Sequence, residues 1–163
     1  MTAAEAMAAK TRPAANRLRM VTARMAHVYR LAANLRDEDL AMAAKLGRDA
    51  RLALRLSYKS STFYRCAITD GDDVLVMWGL SGDALSDHGY PWMITSKDAA
   101  RLRLRLLKFG RRELRRMMRL RRVLVDYVAP DDARAARFLV FLGFVRTDDG
   151  PRPMIGDVAW HRY

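Results

Sequence analysis

Apolar and polar positions along the chain follow either the alternation of a strand or the spacing of a helix, and the second half of the sequence changes between these two patterns several times. Alternating, β-branched runs predict strands over residues 62–69, 74–80, 90–95, 122–129 and 155–162. The turn residues at 70–73 join the first two of these strands as a hairpin. Helical spacing predicts a long helix before residue 122 and a shorter one from Pro130 to Gly143, after which Phe144 begins another strand. This order predicts one α/β (α+β) domain with a mixed sheet and helices on both faces.

The first third of the chain predicts a strand followed by helices. Residues 19–24 form a plausible strand, and helical spacing continues over residues 26–35, 38–45 and 50–56. Residues 1–18 are rich in Ala and contain Lys10, Arg12 and Pro13 without a consistent apolar face, which is typical of a flexible arm. We therefore divide the chain into an N-terminal arm, residues 1–18, and a domain, residues 19–163.

The long helix carries most of the excess positive charge of the chain. The chain has a net charge of +12, and 11 of its 30 basic residues lie between Arg101 and Arg122, opposed there only by Glu113. One side of this helix is apolar around Leu106, Gly110 and Leu114, and the missing side chain of Gly110 predicts a close approach to a sheet. The other side carries the candidate contacts for a polyanion or an acidic partner: Arg105, Lys108, Arg112, Arg115, Arg116 and Arg119.

The remaining composition excludes several classes of site. Cys66 is the only cysteine, so neither an intramolecular disulfide nor a thiolate cluster is expected. His27, His88 and His161 are far apart and lack ligand spacing, so no metal site is predicted. No stretch approaches 18 uninterrupted apolar residues, so no membrane span is predicted.

A longer pattern resembles a known family. The passage from Pro91 to Ser96, the basic helix, residues 126–128 and the ungapped run from Tyr127 to Val145 are similar in order and spacing to a small family of proteins from short-tailed podophages. That family resembles GNAT-type acetyltransferases and is encoded among virion and assembly genes. The resemblance covers residues 20–163. It implies a GNAT-like, mostly antiparallel mixed sheet and a location in the phage virion or the host cytoplasm.

The resemblance also implies where acetyl-coenzyme A would bind if the fold is active. The residues at these positions are Trp92, Met93, Ile94 and Thr95 for the pantetheine arm, Ser96, Lys97 and Arg101 for the phosphates, and Asp132 at the start of the next helix. The usual Gly-rich phosphate turn is replaced by residues 95–101, which contain no glycine, and Leu139 stands where a tyrosine usually protonates the leaving thiolate. These departures favour a fold that has lost its cofactor, so none is expected.

Catalytic candidates are few. Asp87 and His88 precede the strand at Tyr90, where a GNAT protein places its substrate amine, and are the candidate general bases. Tyr127 is a candidate proton donor. A polar loop is the preferred explanation of Asp87 and His88, and of Asp83 close to them in the sequence.

Three functions remain open at this point. The leading hypothesis is a virion-associated or virion-assembly protein that binds other virion proteins, with DNA as a further partner through the basic helix and with oligomerisation possible. The first alternative is an acetyl-coenzyme A-dependent N-acetyltransferase. The second alternative is a non-specific nucleic-acid-binding protein.

Overall fold

A computed structural model describes residues 18–45, 47–61, 64–147, 149, 153–155 and 158–163. Its main sheet contains five strands in the order β1 to β5, namely β1 (Leu18–Thr22), β2 (Tyr64–Asp70), β3 (Asp73–Ser81), β4 (His88–Thr95) and β5 (Val123–Leu124). The first four strands are antiparallel to their neighbours, and β5 runs parallel to β4. The sheet is therefore mixed and mostly antiparallel, as predicted.

Helices cover both faces of this sheet. They are α1 (Met25–Ala32), α2 (Asp37–Lys45), α3 (Ala50–Ser60), α4 (Arg103–Met117) and α5 (Ala133–Leu142), with a 3-10 helix (Lys97–Leu102) before α4. Short strands follow the main sheet: β6 (Tyr127–Val128), β7 (Met154–Ile155), β8 (Val158–Ala159) and β9 (His161–Arg162). Strand β6 pairs with β9, and β7 pairs with β8.

Strand β3 is the centre of the fold. Its residues from Val74 to Leu80 are all buried, because the sheet is covered on both faces. On one face Met77 packs in a cluster with Val28 and Leu31 of α1 and Leu54 of α3. On the other face Trp78 packs in a cluster with Leu102 and Met117 at the two ends of α4. The two layers of helices thus lie on opposite sides of the sheet.

Most predicted elements are confirmed, with shifted boundaries. The hairpin turns at Gly71, whose φ of 59° lies in the left-handed region that glycine tolerates. Helix α5 begins after its N-cap Asp132 and ends at Gly143, where φ is 106°. Strand β1 (Leu18–Thr22) confirms the strand predicted over residues 19–24, with a shift toward the N-terminus. The predicted arm, residues 1–18, lies outside the described residues except for Leu18.

Four predictions of detail are wrong. Polar capping groups at Ser96–Asp98 predict the start of the long helix there, but a 3-10 helix (Lys97–Leu102) comes first and α4 begins at Arg103. The strand over residues 122–129 divides into β5 and β6, which pair with different partners. Phe144 and Val145 lie outside any strand. Finally, Gly110 approaches α5 rather than the sheet, since a Cβ there would lie 2.7 Å from Cδ2 of Leu142.

Candidate functional site

The two parallel strands of the sheet separate soon after they meet. Strand β4 pairs with β5 only at His88 with Val123 and at Gly89 with Leu124, and the N–H of Val125 then donates to the carbonyl of Gly89 at 2.9 Å. Beyond this point the chain continues into β6, which pairs with β9 instead. A gap therefore opens beside β4, and no described strand pairs with this edge between residues 90 and 95.

The gap leaves backbone groups of β4 exposed along one edge. The N–H of Ser96 donates to Leu75 of β3 at 2.8 Å, whereas the carbonyl of Gly89 faces β5. Because successive residues of a strand direct their peptide groups to opposite sides, the odd-numbered residues from 91 to 95 face the gap. Pro91 has no N–H, so Met93 and Thr95 supply the hydrogen-bond donors of this edge.

A cavity of about 80 Å³ lies beneath the gap, between the sheet, α4 and α5. Its walls are almost entirely apolar. They include Trp78 of β3, Pro91–Met93 of β4, Leu106, Phe109, Gly110 and Met117 of α4, and Phe138, Leu139 and Leu142 of α5. Two carboxylates, Glu113 and Asp126, also line it. The absence of a side chain at Gly110 lets α4 approach Leu142 closely, so the cavity is closed on this side.

Asp126 is the most perturbed ionisable group at this site. One of its carboxylate oxygens accepts a hydrogen bond from the N–H of Tyr127 at 2.7 Å, and its own backbone pairs with Tyr163 in both directions. Burial raises the pKa of Asp126 to about 6, because the apolar surroundings disfavour the charged form, although the bond from Tyr127 opposes this effect. The carboxylate can therefore exchange a proton near neutral pH.

Trp78 places an unsatisfied donor at the cavity. Its side chain is 6% exposed, and its indole N–H is buried without an acceptor among the described residues. Buried donors in native proteins usually have a partner, so an isolated one needs an explanation. Trp78 also lines the cavity, so this donor belongs to the wall of the candidate site.

Glu113 plays a different part from Asp126. It is 3% exposed, and one carboxylate oxygen accepts hydrogen bonds from Arg116 at 2.9 Å and from Arg112 at 3.3 Å. The two guanidinium groups compensate its buried charge. Glu113 thus connects the cavity wall to the basic side of α4.

The turn after β4 is closed by contacts within the chain. The N–H of Lys97 donates to the carbonyl of Asn34 at 3.1 Å, and the N–H of Ala99 donates to Ser96 at 3.1 Å. The side-chain amide of Asn34 donates to the carboxylate of Asp98 at 2.6 Å. Arg101 forms an ion pair with Asp70 at 2.8 Å. The backbone donors that a phosphate turn would offer are therefore already used at two positions.

The residues predicted to bind the coenzyme divide into two groups. Met93 lines the cavity, and Thr95 lies on the open edge, so these two meet at the gap. Trp92 also borders the cavity, but it packs with Ile94 against the α1 and α3 cluster on the opposite face. Ser96 is fully buried, Lys97 is exposed, Arg101 is held by Asp70, and the side chain of Asp132 caps α5 by accepting from Ala135 at 2.9 Å.

The predicted catalytic residues do not line the cavity. Asp87 is exposed and lies 3.8 Å from Arg122, and His88 is paired with Val123 at the start of β4. Tyr127 stacks on Tyr90, with ring centroids 6.5 Å apart and an interplanar angle of 20°, so the two rings bridge β4 and β6. Asp126 and Glu113 were missed, because burial of a carboxylate is decided by tertiary packing and leaves no motif in the sequence.

The basic residues of α4 are on the surface, as predicted. Arg105, Lys108, Arg112, Arg115 and Arg116 of α4 and Arg119 just after it are all exposed. No group of three or more His, Cys, Asp or Glu side chains within the described residues is arranged to hold a metal ion. No described helix is both long and apolar enough to cross a bilayer.

A mixed sheet whose parallel strands β4 and β5 separate above an apolar cavity is the architecture of the GNAT fold. Among similar solved structures, the GNAT domain of S. lividans PAT has a TM-score of 0.64 at 10% identity, covering 90% of this chain and 89% of that chain. Ard1 from Thermoplasma volcanium has a TM-score of 0.63 at 11% identity, covering 89% and 94%. A putative acetyltransferase from Salmonella typhimurium, yncA, solved with its cofactor acetyl-CoA, has a TM-score of 0.53 at 14% identity, covering 91% and 94%.

These similarities show that the chain has a GNAT-type fold, as the sequence predicted. No protein-family model matches the chain. No curated protein sequence matches it either. Its membership of a podophage family and its presence in a virion stay predictions.

Proposed function

We propose that the protein is an N-acetyltransferase that binds acetyl-coenzyme A in the gap between β4 and β6. The observation that carries this proposal is the open edge of β4 above an apolar cavity with an unsatisfied indole N–H. We therefore prefer the N-acetyltransferase, which the sequence analysis gave as its first alternative, to a protein that only binds other molecules. The fold supports this preference, since a similar solved structure holds acetyl-CoA as its cofactor.

The chemistry of the gap fits the pantetheine arm. The two amides of the pantetheine arm need hydrogen-bond donors and acceptors arranged in an extended row. The peptide groups of Met93 and Thr95 offer such a row, as the edge of a sheet does to an added strand. The indole N–H of Trp78 is a further donor for a carbonyl within the cavity. When bound, acetyl-coenzyme A supplies an activated thioester, whose C–S bond breaks as the amine nitrogen forms a C–N bond.

Asp126 is the residue that we assign to proton transfer. An amine attacks only after its ammonium form has lost a proton, and a carboxylate with a pKa of about 6 can accept it at neutral pH. Asp126 lines the same cavity as Leu139, which occupies the position of the usual tyrosine acid. The chain thus keeps a proton-exchanging group at the cavity although the tyrosine is absent.

Calorimetric titration with acetyl-coenzyme A tests the binding step. We expect a dissociation constant well below about 1 mM, the level at which the binding free energy is only about −4 kcal/mol. Met93→Pro removes one N–H from the gap and none from the pairing with β3, so it should weaken binding roughly two- to tenfold. Met93→Ala is the matched control, because it also loses the side chain that lines the cavity but keeps the N–H, so it should bind roughly two- to tenfold more tightly than Met93→Pro.

A second measurement follows release of the coenzyme thiol in the presence of small primary amines. Release that depends on the amine is the expected result. A correctly folded parent protein that fails to bind acetyl-coenzyme A below about 1 mM would overturn the proposal. Met93 is a better position for this test than Ser96, because Ser96 is fully buried and a bulky residue there would disrupt the core.

The closed turn and Leu139 favour a second candidate, a binding protein on a degenerate acetyltransferase fold that acts in a phage virion or its assembly. Such a protein does not need to bind a diphosphate, so its function would not suffer because the N–H groups of Lys97 and Ala99 are bonded within the chain. The same titration separates the two candidates, since this one predicts no binding of the coenzyme below about 1 mM.

A further inference from the structure

The exposed basic side of α4 has a role that the acetyltransferase proposal does not use. We call this surface the arginine stripe and define it as Arg105, Lys108, Arg112, Arg115, Arg116 and Arg119. All six side chains are exposed, and none lines the cavity. A partner of the stripe would therefore leave the gap accessible.

The charge of the stripe is only partly compensated. Glu113 accepts hydrogen bonds from Arg112 and Arg116. Among the described residues, the side chains of Arg105, Lys108, Arg115 and Arg119 have no acidic partner. Like charges three or four residues apart on a helix destabilise it by a few tenths of a kcal/mol per pair, so an anionic partner would relieve this repulsion.

The stripe is long and regular, and it continues onto the sheet. Arg105, Lys108, Arg112 and Arg115 follow one another at intervals of three or four residues, which spans about 15 Å along the helix. Arg19 of β1 lines a concavity of about 130 Å³ together with Arg105. The cationic surface therefore includes both the helix and the neighbouring edge strand.

We propose that this surface binds the phosphate backbone of double-stranded nucleic acid without sequence specificity. Protein interfaces have an apolar centre with aromatic anchors, whereas the stripe consists of cationic side chains in a row. Arginines predominate in it, and their guanidinium groups match the geometry of phosphate oxygens. Phe109 lines the concavity beside Arg105, but it is half-buried and the guanidinium of Arg112 lies 5.0 Å from the centroid of its ring. Stacking on single-stranded bases needs an open aromatic face, so it does not explain the stripe.

Fluorescence anisotropy with a labelled 20-base-pair duplex, measured over a series of salt concentrations, tests this proposal. The variant Arg105→Gln/Lys108→Gln/Arg115→Gln removes three cations that have no acidic partner in the part of the chain that the structure describes. Each phosphate contact contributes about 0.9 to the salt slope of the logarithm of the binding constant, so the slope should decrease by up to about 2.7. Arg112 and Arg116 are left unchanged, because their loss would leave the buried Glu113 without compensation.

The matched control is Arg48→Gln/Arg55→Gln/Lys59→Gln, which removes the same net charge from exposed positions in and before α3, on the other side of the sheet. It should keep the slope of the parent. An equal loss in both variants would attribute binding to net charge alone and overturn the proposal. If the parent did not bind the duplex at 50 mM salt, the proposal would be wrong and the stripe would be an ordinary solvated surface. If polyglutamate at matched charge competed equally well, the proposal would also be wrong, and an acidic protein would be the better partner.

Discussion

The open edge of strand β4 and the turn that follows the strand differ in what they leave for a ligand. Along the gap, no strand within the described residues pairs with the N–H groups of Met93 and Thr95, and the same residues offer no acceptor to the indole N–H of Trp78. In the turn that follows, the N–H groups of Lys97 and Ala99 are bonded within the chain, and Arg101 is held by Asp70. The gap therefore offers hydrogen-bond donors to a ligand, whereas the donors of the turn are already bonded within the chain.

This difference indicates which part of a coenzyme the fold can still recognise. Binding energy comes from groups that lose no existing partner, because a hydrogen bond that replaces another contributes little. The gap can therefore hold the thioester and the pantetheine arm, whereas the turn gains little from a diphosphate. Asp98 adds a negative charge to the turn, which a diphosphate would encounter. The following predictions test this contrast between the gap and the turn.

The largest effect is expected at Asp126. Asp126→Asn cannot accept a proton, so amine-dependent thiol release should decrease by a factor of about 10²–10⁴. The folded pKa of about 6 lies above the ordinary 3.8, so the ionised carboxylate destabilises the fold, and stability is lost as the pH rises through 6. The variant should therefore be more stable than the parent at pH 8, by at most about 3 kcal/mol, and equally stable at pH 3.

Urea denaturation at the two pH values measures the second part of this prediction. Asp131→Asn changes an exposed carboxylate nearby and should alter neither activity nor stability. A loss of activity together with a gain in stability is the signature expected of a functional carboxylate. If Asp126→Asn kept full activity, the proton-transfer role would be wrong even if binding persisted.

A smaller effect, on the free energy of unfolding, is expected from a substitution at Gly79, which lies in β3 opposite Trp92 of β4. A Cβ there would lie 2.8 Å from the indole nitrogen of Trp92 and 2.9 Å from Oγ of Ser61, which are the donor and the acceptor of a short 2.6 Å hydrogen bond. Because the ring cannot yield easily, Gly79→Ala should lower the free energy of unfolding by about 1–3 kcal/mol. It should also weaken acetyl-coenzyme A binding by displacing Trp92.

Gly110→Ala is the comparison for this substitution. Its Cβ would meet only the flexible end of Leu142, and alanine favours a helix over glycine by about 1 kcal/mol, so stability should change little or increase. Urea denaturation measures both variants. Equal destabilisation by the two substitutions would contradict the assignment of rigid packing to Trp92.

The smallest effect is expected when the phosphates of the ligand are removed. Since the turn offers few vacant donors, S-acetylpantetheine should bind within about threefold of acetyl-coenzyme A, a free-energy difference of less than about 1 kcal/mol. Calorimetric titration of the parent with both ligands measures this ratio. A preference for acetyl-coenzyme A of a hundredfold or more would show that the turn binds phosphate, and the contrast between gap and turn would be wrong.

The sequence by itself determined the order of elements, the hairpin at Gly71, the ends of α5 and the exposed basic side of α4, because these depend on local periodicity, turn residues and capping. The GNAT fold was also accessible from the sequence, through the resemblance of the region from Tyr90 to Val145. The tertiary structure alone decided the cavity, the raised pKa of Asp126, the buried Glu113 and the closure of the turn by Asn34 and Asp70. Each of these depends on residues far apart in the chain, and desolvation and hydrogen-bond competition act only once folding has brought them together.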